Sequence, residues 1–131
     1  MTYNILVHDE CPMFRIGLKV IIDKRYPMCD VYTAESLESL TEQVAALTFD
    51  IIILDINNDG FNKFSILKEI KALQPNTNLI VTSFSTQIDF NTRCFSGGAC
   101  AVLNKTCTDD NLAQALNIFL FSGSYWKKRS N

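Results

Sequence analysis

Acidic, hydroxyl and ammonium side chains stand at the ends of short apolar runs in this chain, and together they suggest phosphate chemistry. Asp9 and Glu10 come just after Ile5-Leu6-Val7, and Asp55 closes Ile51-Ile52-Ile53-Leu54. Thr82 and Ser83 follow Leu79-Ile80-Val81, and Lys105 lies just beyond Ala101-Val102-Leu103. If these runs are strands of one parallel sheet, the groups converge on one rim. Three crowded carboxylates repel one another and call for a cation, and an all-oxygen set suits a hard ion such as Mg²⁺. A carboxylate nucleophile at Asp55 could carry an acyl phosphate. The cation and Lys105 would neutralise its oxygens, and Ser83 would donate a hydrogen bond to one of them. Neighbouring Thr82 offers a second hydroxyl. A strand-end serine or a loop lysine alone would mean little; the convergence carries the reading.

The elements that must position these groups are legible in the pattern. Val31-Tyr32-Thr33 joins the four runs above as a fifth, more mixed strand, which suits a place nearer a sheet edge. The other four are continuously apolar, as strands covered on both faces should be. Phe14, Leu18, Ile21 and Ile22 share one face of a first helix that should end before Pro27. Leu37, Leu40, Val44 and Leu47 mark a second helix opened by Ser36. Phe64, Leu67, Ile70 and Leu73 mark a third, stopped by Pro75. A fourth covers about 87–96 and ends at Gly97-Gly98. The fifth starts with Thr108 as N-cap and Asp109-Asp110 in its first turn, then runs through Leu112, Leu116 and Phe119 to Gly123. Strand–helix alternation of this kind predicts an α/β fold, a (βα)₅ doubly wound parallel sheet, with its ligand site beyond the carboxyl ends of the strands.

Composition agrees with one compact domain. The chain has 131 residues, 47% apolar and 20% charged, and its twelve basic and fourteen acidic side chains give a net charge of −2. That balance does not favour polyanion binding by charge alone. No apolar run approaches the roughly 20 residues of a membrane span, and no signal peptide is visible. The five cysteines, Cys11, Cys29, Cys94, Cys100 and Cys107, form no C-x-x-C pair. They read as reduced thiols of a cytoplasmic protein, acting mainly as small hydrophobes.

Over essentially its whole length the chain resembles the receiver domains of bacterial two-component response regulators, the CheY-like fold, and more narrowly the receivers of NarL/FixJ/LuxR-type regulators. The opening Ile5-Leu6-Val7-His8-Asp9-Glu10-Cys11-Pro12-Met13-Phe14-Arg15-Ile16-Gly17-Leu18 has that family's acidic pair, Pro, Phe-Arg and Gly-Leu. Asp50-Ile51-Ile52-Ile53-Leu54-Asp55-Ile56 is similar to its phosphoacceptor strand. The spacing from Asp55 to Pro75, Ser83, Gly98 and Lys105 follows the family pattern. The resemblance implies a five-stranded sheet in the order 2-1-3-4-5. It makes Asp55 the residue phosphorylated by a sensor histidine kinase, Ser83 the switch hydroxyl and Lys105 the cationic partner. Mg²⁺ would be held by Asp9, Glu10, Asp55 and the backbone carbonyl of Asn57. Such a domain is a phosphoacceptor switch rather than an enzyme in the ordinary sense. It is expected to regulate transcription through a downstream helix-turn-helix domain, its only route to DNA. Residues 1–124 are then the receiver, and 125–131 begin a linker toward a DNA-binding domain that these residues do not contain.

The sequence also departs from the family pattern. Glu10 replaces a usual Asp, Asp59 and Lys63 replace a Pro and a Gly after the phosphoacceptor, and Phe84 replaces a small residue and is expected to cover part of the pocket. Val102 stands where the family has a rotating Tyr or Phe. Asp55-x-Asn57-x-Asp59-Gly60 imitates the start of an EF-hand loop, but Ile66 replaces its bidentate Glu. An aspartyl-phosphate hydrolase would need an acid/base where Asn57 stands. His8 reads as a packed strand-end residue. Ile118-Phe119-Leu120-Phe121 is more apolar than one helix face requires, which suggests a homodimer or docking face. The main alternative is an atypical receiver that is never phosphorylated and acts as an interaction or dimerisation module.

Overall fold

A computed structural model describes residues 2–56, 63–85, 87–106 and 109–121. Strands and helices alternate without exception: β1 (Tyr3–His8), α1 (Pro12–Arg25), β2 (Cys29–Ala34), α2 (Leu37–Ala46), β3 (Ile51–Asp55), α3 (Lys63–Leu73), β4 (Asn78–Ser83), α4 (Ile88–Ser96), β5 (Ala99–Asn104) and α5 (Asp109–Phe121). The five strands form one sheet in the order β2-β1-β3-β4-β5, and every neighbouring pair is parallel. The expected architecture and strand order are therefore present.

Strand alternation sorts the core into two layers. Leu6, Ile52, Leu54, Leu79 and Val81 face Leu40 and Val44 of α2, Leu67 and Ile70 of α3, and Phe90 and Cys94 of α4. Ile5, Val7, Ile51, Ile53 and Ile80 face Ile22 of α1 and Leu112, Leu116 and Leu120 of α5. Each fully buried aliphatic side chain contributes roughly 1.5–3 kcal/mol of transfer free energy, so both faces hold the sheet.

The local signals act largely as expected. Pro12 occupies the first turn of α1, where its missing N–H costs nothing. Ser36 caps α2 by accepting a hydrogen bond from the Ser39 N–H at 3.1 Å. Past α4, Gly98 takes φ 113°, a conformation that glycine adopts without strain. Thr108 and Gly123 lie outside the described residues, so the expected cap and end of α5 do too. The expected 125–131 tail also lies outside them.

Two strands differ in cover. β2 is an edge strand with three half-buried positions, as its mixed composition implied. β5 is the opposite edge, as the expected strand order requires, but it was expected to be covered on both faces and Cys100 to Asn104 are only half-buried. Its register shifts between Leu79 and Ile80, which leaves Cys100 as an extra residue. The Cys100 thiol donates to the Leu79 carbonyl at 3.2 Å across this bulge.

The crossing from α2 into β3 depends on a single buried amide. Gln74, just past α3, donates through Nε2 to the carbonyls of Val44 (2.8 Å) and Leu47 (2.7 Å). Its Oε1 accepts the Phe49 N–H at 2.9 Å. Replacing it with Met keeps the volume but strips the partners from three backbone groups. With the Val44 carbonyl and the Phe49 N–H stranded in the interior at roughly 1–3 kcal/mol each, and the Leu47 carbonyl partly open to water, Gln74→Met is expected to lose about 2–6 kcal/mol in urea unfolding.

Candidate functional site

Strand parity decides which strand-end side chains can meet. Asp9 continues the Ile5/Val7 face, Asp55 the Ile51/Ile53 face and Lys105 the Ala101/Leu103 face, so all three lie on the α1/α5 side. The neighbouring hydroxyls divide between the faces. Thr82 shares the parity of Ile80 and of Asp55, and Ser83 shares that of Leu79 and Val81.

Lys105 follows the edge strand β5, but its long stem carries the ammonium across to β3 and β1. Nζ lies 2.8 Å from Asp55 Oδ1 and 2.8 Å from Asp9 Oδ2. The three side chains are only 6% (Lys105), 4% (Asp55) and 2% (Asp9) exposed. Burial alone would lower the Lys105 pKa. Hydrogen bonds and charge from Asp55 and Asp9 outweigh it and raise the pKa above the ordinary lysine value, so the ammonium stays charged. Two carboxylates against one ammonium leave the trio one negative charge in excess.

The backbone fixes each member. Asp9 Oδ1 accepts the Cys11 N–H at 2.9 Å, and Arg15 donates through Nη1 to the Asp9 carbonyl at 2.8 Å. Asp55 pairs in register with Thr82, and the Lys105 N–H donates to the Ser83 carbonyl at 2.8 Å. Ser83 itself is buried, and its Oγ accepts the Ser85 N–H at 3.0 Å. Accepting there leaves its own proton available to donate. Thr82 Oγ1 is buried with no hydrogen-bond partner among the described residues.

Of the residues singled out from the sequence, Asp9, Asp55 and Lys105 are brought into direct contact. Ser83 follows Thr82, the register partner of Asp55, at the end of β4, and its hydroxyl is engaged with Ser85. Glu10 is exposed, and Asn57 lies outside the described residues. Among the described residues no three His, Cys, Asp or Glu side chains form a group set to hold a metal ion. His8 is fully buried at the end of β1, as a packed strand-end residue should be. Phe14 was read only as part of the apolar face of α1, and its position here is new. Its ring centroid lies 4.5 Å from Lys105 Nζ, with the Phe84 centroid at 5.4 Å. Its place one turn beyond the acidic pair was the available signal.

A family model described as the response regulator receiver domain matches residues 5–117. The chain belongs to that family. Among curated proteins, the receiver is 24% identical over 123 residues to the fimbriae Z protein of Salmonella typhimurium, covering 94% of this chain and 59% of that one. It is 28% identical over 114 residues to the nitrate/nitrite response regulator NarL of Escherichia coli, covering 87% and 53%. The chain thus spans between half and three-fifths of the length of these relatives. Among solved structures, a response regulator from Thermotoga maritima superposes with a TM-score of 0.83 at 18% identity, covering 92% of this chain and 98% of that one. One from Burkholderia pseudomallei, with a phosphorylated aspartic acid, a calcium ion and citrate, gives 0.78 at 20% identity, covering 98% and 72%. These similarities establish the two-component receiver fold around the trio. No helix among the described residues is long and apolar enough to cross a membrane.

Of the cysteines, Cys107 lies outside the described residues, Cys11 follows the trio's Asp9 by two residues, and Cys29, Cys94 and Cys100 belong to the packed layers. Burial pushes the Cys29, Cys94 and Cys100 thiols up to about 11, whereas Cys11 is exposed. A thiol of that pKa is thiolate in only about one part in a thousand at pH 8, so it reacts slowly. Dithiodipyridine titration of the folded receiver is expected to modify Cys11 ahead of Cys29, Cys94 and Cys100, with Cys11→Ser removing one fast-reacting thiol.

The trio generates a stability prediction. Lys105→Met would strand two buried carboxylates without a cation and is expected to cost about 3–5 kcal/mol in urea unfolding. Adding Asp55→Asn removes one of the two opposed charges and should recover part of that loss. Equal losses in the single and double variants would show that the ammonium does not neutralise the pair.

Proposed function

We propose that Asp55 accepts a phosphoryl group from the phosphohistidine of a sensor histidine kinase, and that the chain is the input switch of a transcription regulator. The observation behind this reading is the buried Asp55 carboxylate held at 2.8 Å by the Lys105 ammonium at the carboxyl end of β3. A carboxylate oxygen of Asp55 attacks phosphorus. The P–N bond of the donor breaks, its electron pair leaves with the imidazole, and an acyl phosphate remains on Asp55. Lys105 then faces a phosphoryl oxygen instead of a carboxylate oxygen. The Ser83 hydroxyl, whose proton is not used by the Ser85 contact, donates to another.

The donor set also suits a divalent cation. Asp9 and Asp55 are hard oxygen ligands buried side by side, and the trio's excess negative charge is left for a cation to balance. Asp9 and Asp55 would hold Mg²⁺, joined by the Asn57 carbonyl and, after a side-chain swing from solvent, Glu10. When bound, the ion supplies charge neutralisation at the phosphoryl oxygens.

Transcriptional output draws support from NarL among the relatives, whose longer chains leave room for a further domain. A cytoplasmic place for the receiver follows from a kinase partner and reduced thiols. In α5, Ile118 is 56% exposed while Leu120 is buried, which keeps a small apolar edge available for a second copy.

Incubation with acetyl phosphate and Mg²⁺ is expected to add one phosphoryl group by mass spectrometry, and Asp55→Asn to abolish it. No addition, or equal labelling of the variant, would sink the proposal. A fold acting purely as an interaction module would then be favoured, with no change in oligomeric state on adding Mg²⁺ and beryllofluoride.

A further inference from the structure

Phe84 follows the switch serine and is 57% exposed, an uneconomical place for a large ring unless something holds it. Phe14, from the first turns of α1, meets it edge-to-face, with centroids 5.6 Å apart and ring planes at 78°. The Lys105 ammonium lies within reach of both faces, 4.5 Å from the Phe14 centroid and 5.4 Å from the Phe84 centroid. Two of its three donors go to Asp9 and Asp55, and the remaining side of the cation meets the rings. The rings thus join α1 to the segment after β4 directly over the lysine that contacts Asp55. Phe84 is also tied to Ser83, because the Ser83 Oγ–Ser85 N–H contact closes a short turn with Phe84 between the two serines.

We infer that Phe14 and Phe84 form an aromatic clamp that positions the Lys105 ammonium between the carboxylates and restricts, by size, which phosphodonors reach Asp55. This rests on the reading of Asp55 as phosphoacceptor. Phe14 and Phe84 are positioning residues; they touch the cation, while Asp55 does the chemistry. A small donor passes the ring edges, whereas a donor with an aromatic leaving group must displace Phe84. Loosening the Ser83 turn when that hydroxyl engages a phosphoryl oxygen would shift Phe84 as well, so phosphorylation and opening of the clamp are coupled.

The test compares phosphoramidate with phosphoimidazole as donors, both with Mg²⁺, on the full chain and on Phe84→Ala. Phe84 is exposed, so its removal leaves the core intact. Phe84→Ala is expected to raise the phosphoimidazole rate about tenfold relative to the phosphoramidate rate. In parallel, the Lys105 Hε protons should show an upfield ring-current shift by NMR. That shift should weaken in Phe84→Ala and Phe14→Leu and return in Phe14→Tyr. Labelling of the wild type with an unchanged donor ratio in Phe84→Ala overturns the clamp and leaves the phosphoacceptor reading standing. Labelling of both chains by phosphoramidate but of Phe84→Ala alone by phosphoimidazole supports both. No labelling of either chain overturns both. A Lys105 shift that does not move in the ring variants overturns the positioning role.

Discussion

A lysine ammonium shared by two buried carboxylates is the constraint around which the rest of this domain is arranged. Moving three charges out of water is expensive, and their mutual attraction compensates only when the geometry is tight. Here the tightness comes from the sheet. Asp9 and Lys105 follow β1 and β5, Asp55 ends β3, and β4 lies between β3 and β5. The Asp55–Thr82 pairing and the Lys105 N–H bond to the Ser83 carbonyl set the reach of the lysine across β4. A slip of one residue in either register would turn a charge to the opposite face, among the α2–α4 aliphatics. The apolar layers are therefore the condition on which the ion pairs exist.

The same economy explains why the trio suits chemistry as well as stability. Fully neutralised, it would be a closed structural bridge. Its excess negative charge and the Ser83 proton make it incomplete, and on the proposed reading a cation with a phosphoryl group would complete it without rebuilding the core. Two other buried polar groups behave differently. Gln74 satisfies three backbone groups, and the Tyr26 hydroxyl, which donates toward Asn117 Oδ1 at 2.6 Å and lies 3.0 Å from the Ala113 carbonyl, ties α1 to α5. Both are local, saturated arrangements with nothing left to offer a ligand.

Much of this was legible in the sequence, because helix faces and the acids at strand ends are written in the period and position of residues, while the strand order was implied by the resemblance to the receiver family. Tyr32 and Thr33 rightly marked β2 as an edge. Ala101-Val102-Leu103 misled only about cover, because apolar letters do not reveal how fully the faces of an edge strand are buried. Glu10 shows a related limit: adjacent residues beyond a strand rarely both turn inward, and here Asp9 takes the buried position and Glu10 is exposed. Thr82 and Ser83 could have been separated by parity from Ile80 and Val81. Phe14 could not have been assigned fully, since its second role depends on a tertiary contact with a lysine far along the chain.

The aromatic residues bear on how such a domain could transmit a change. Val102 packs half-buried against the cluster that contains Phe90 and Cys94 of α4, and it has no ring to rotate. The rings near the rim instead belong to Phe14 and Phe84, on the other side of the sheet's carboxyl end. Ser83 is bonded to the Ser85 N–H, and the Ser85 carbonyl accepts Asn104 Nδ2 at 3.4 Å. Asn104 ends β5 one residue before Lys105. A shift of the Ser83 hydroxyl would therefore reach β5 through this backbone turn and the Asn104 amide. On the proposed reading of Asp55 as phosphoacceptor, the connection between that site and β5 would run through the turn that carries Phe84.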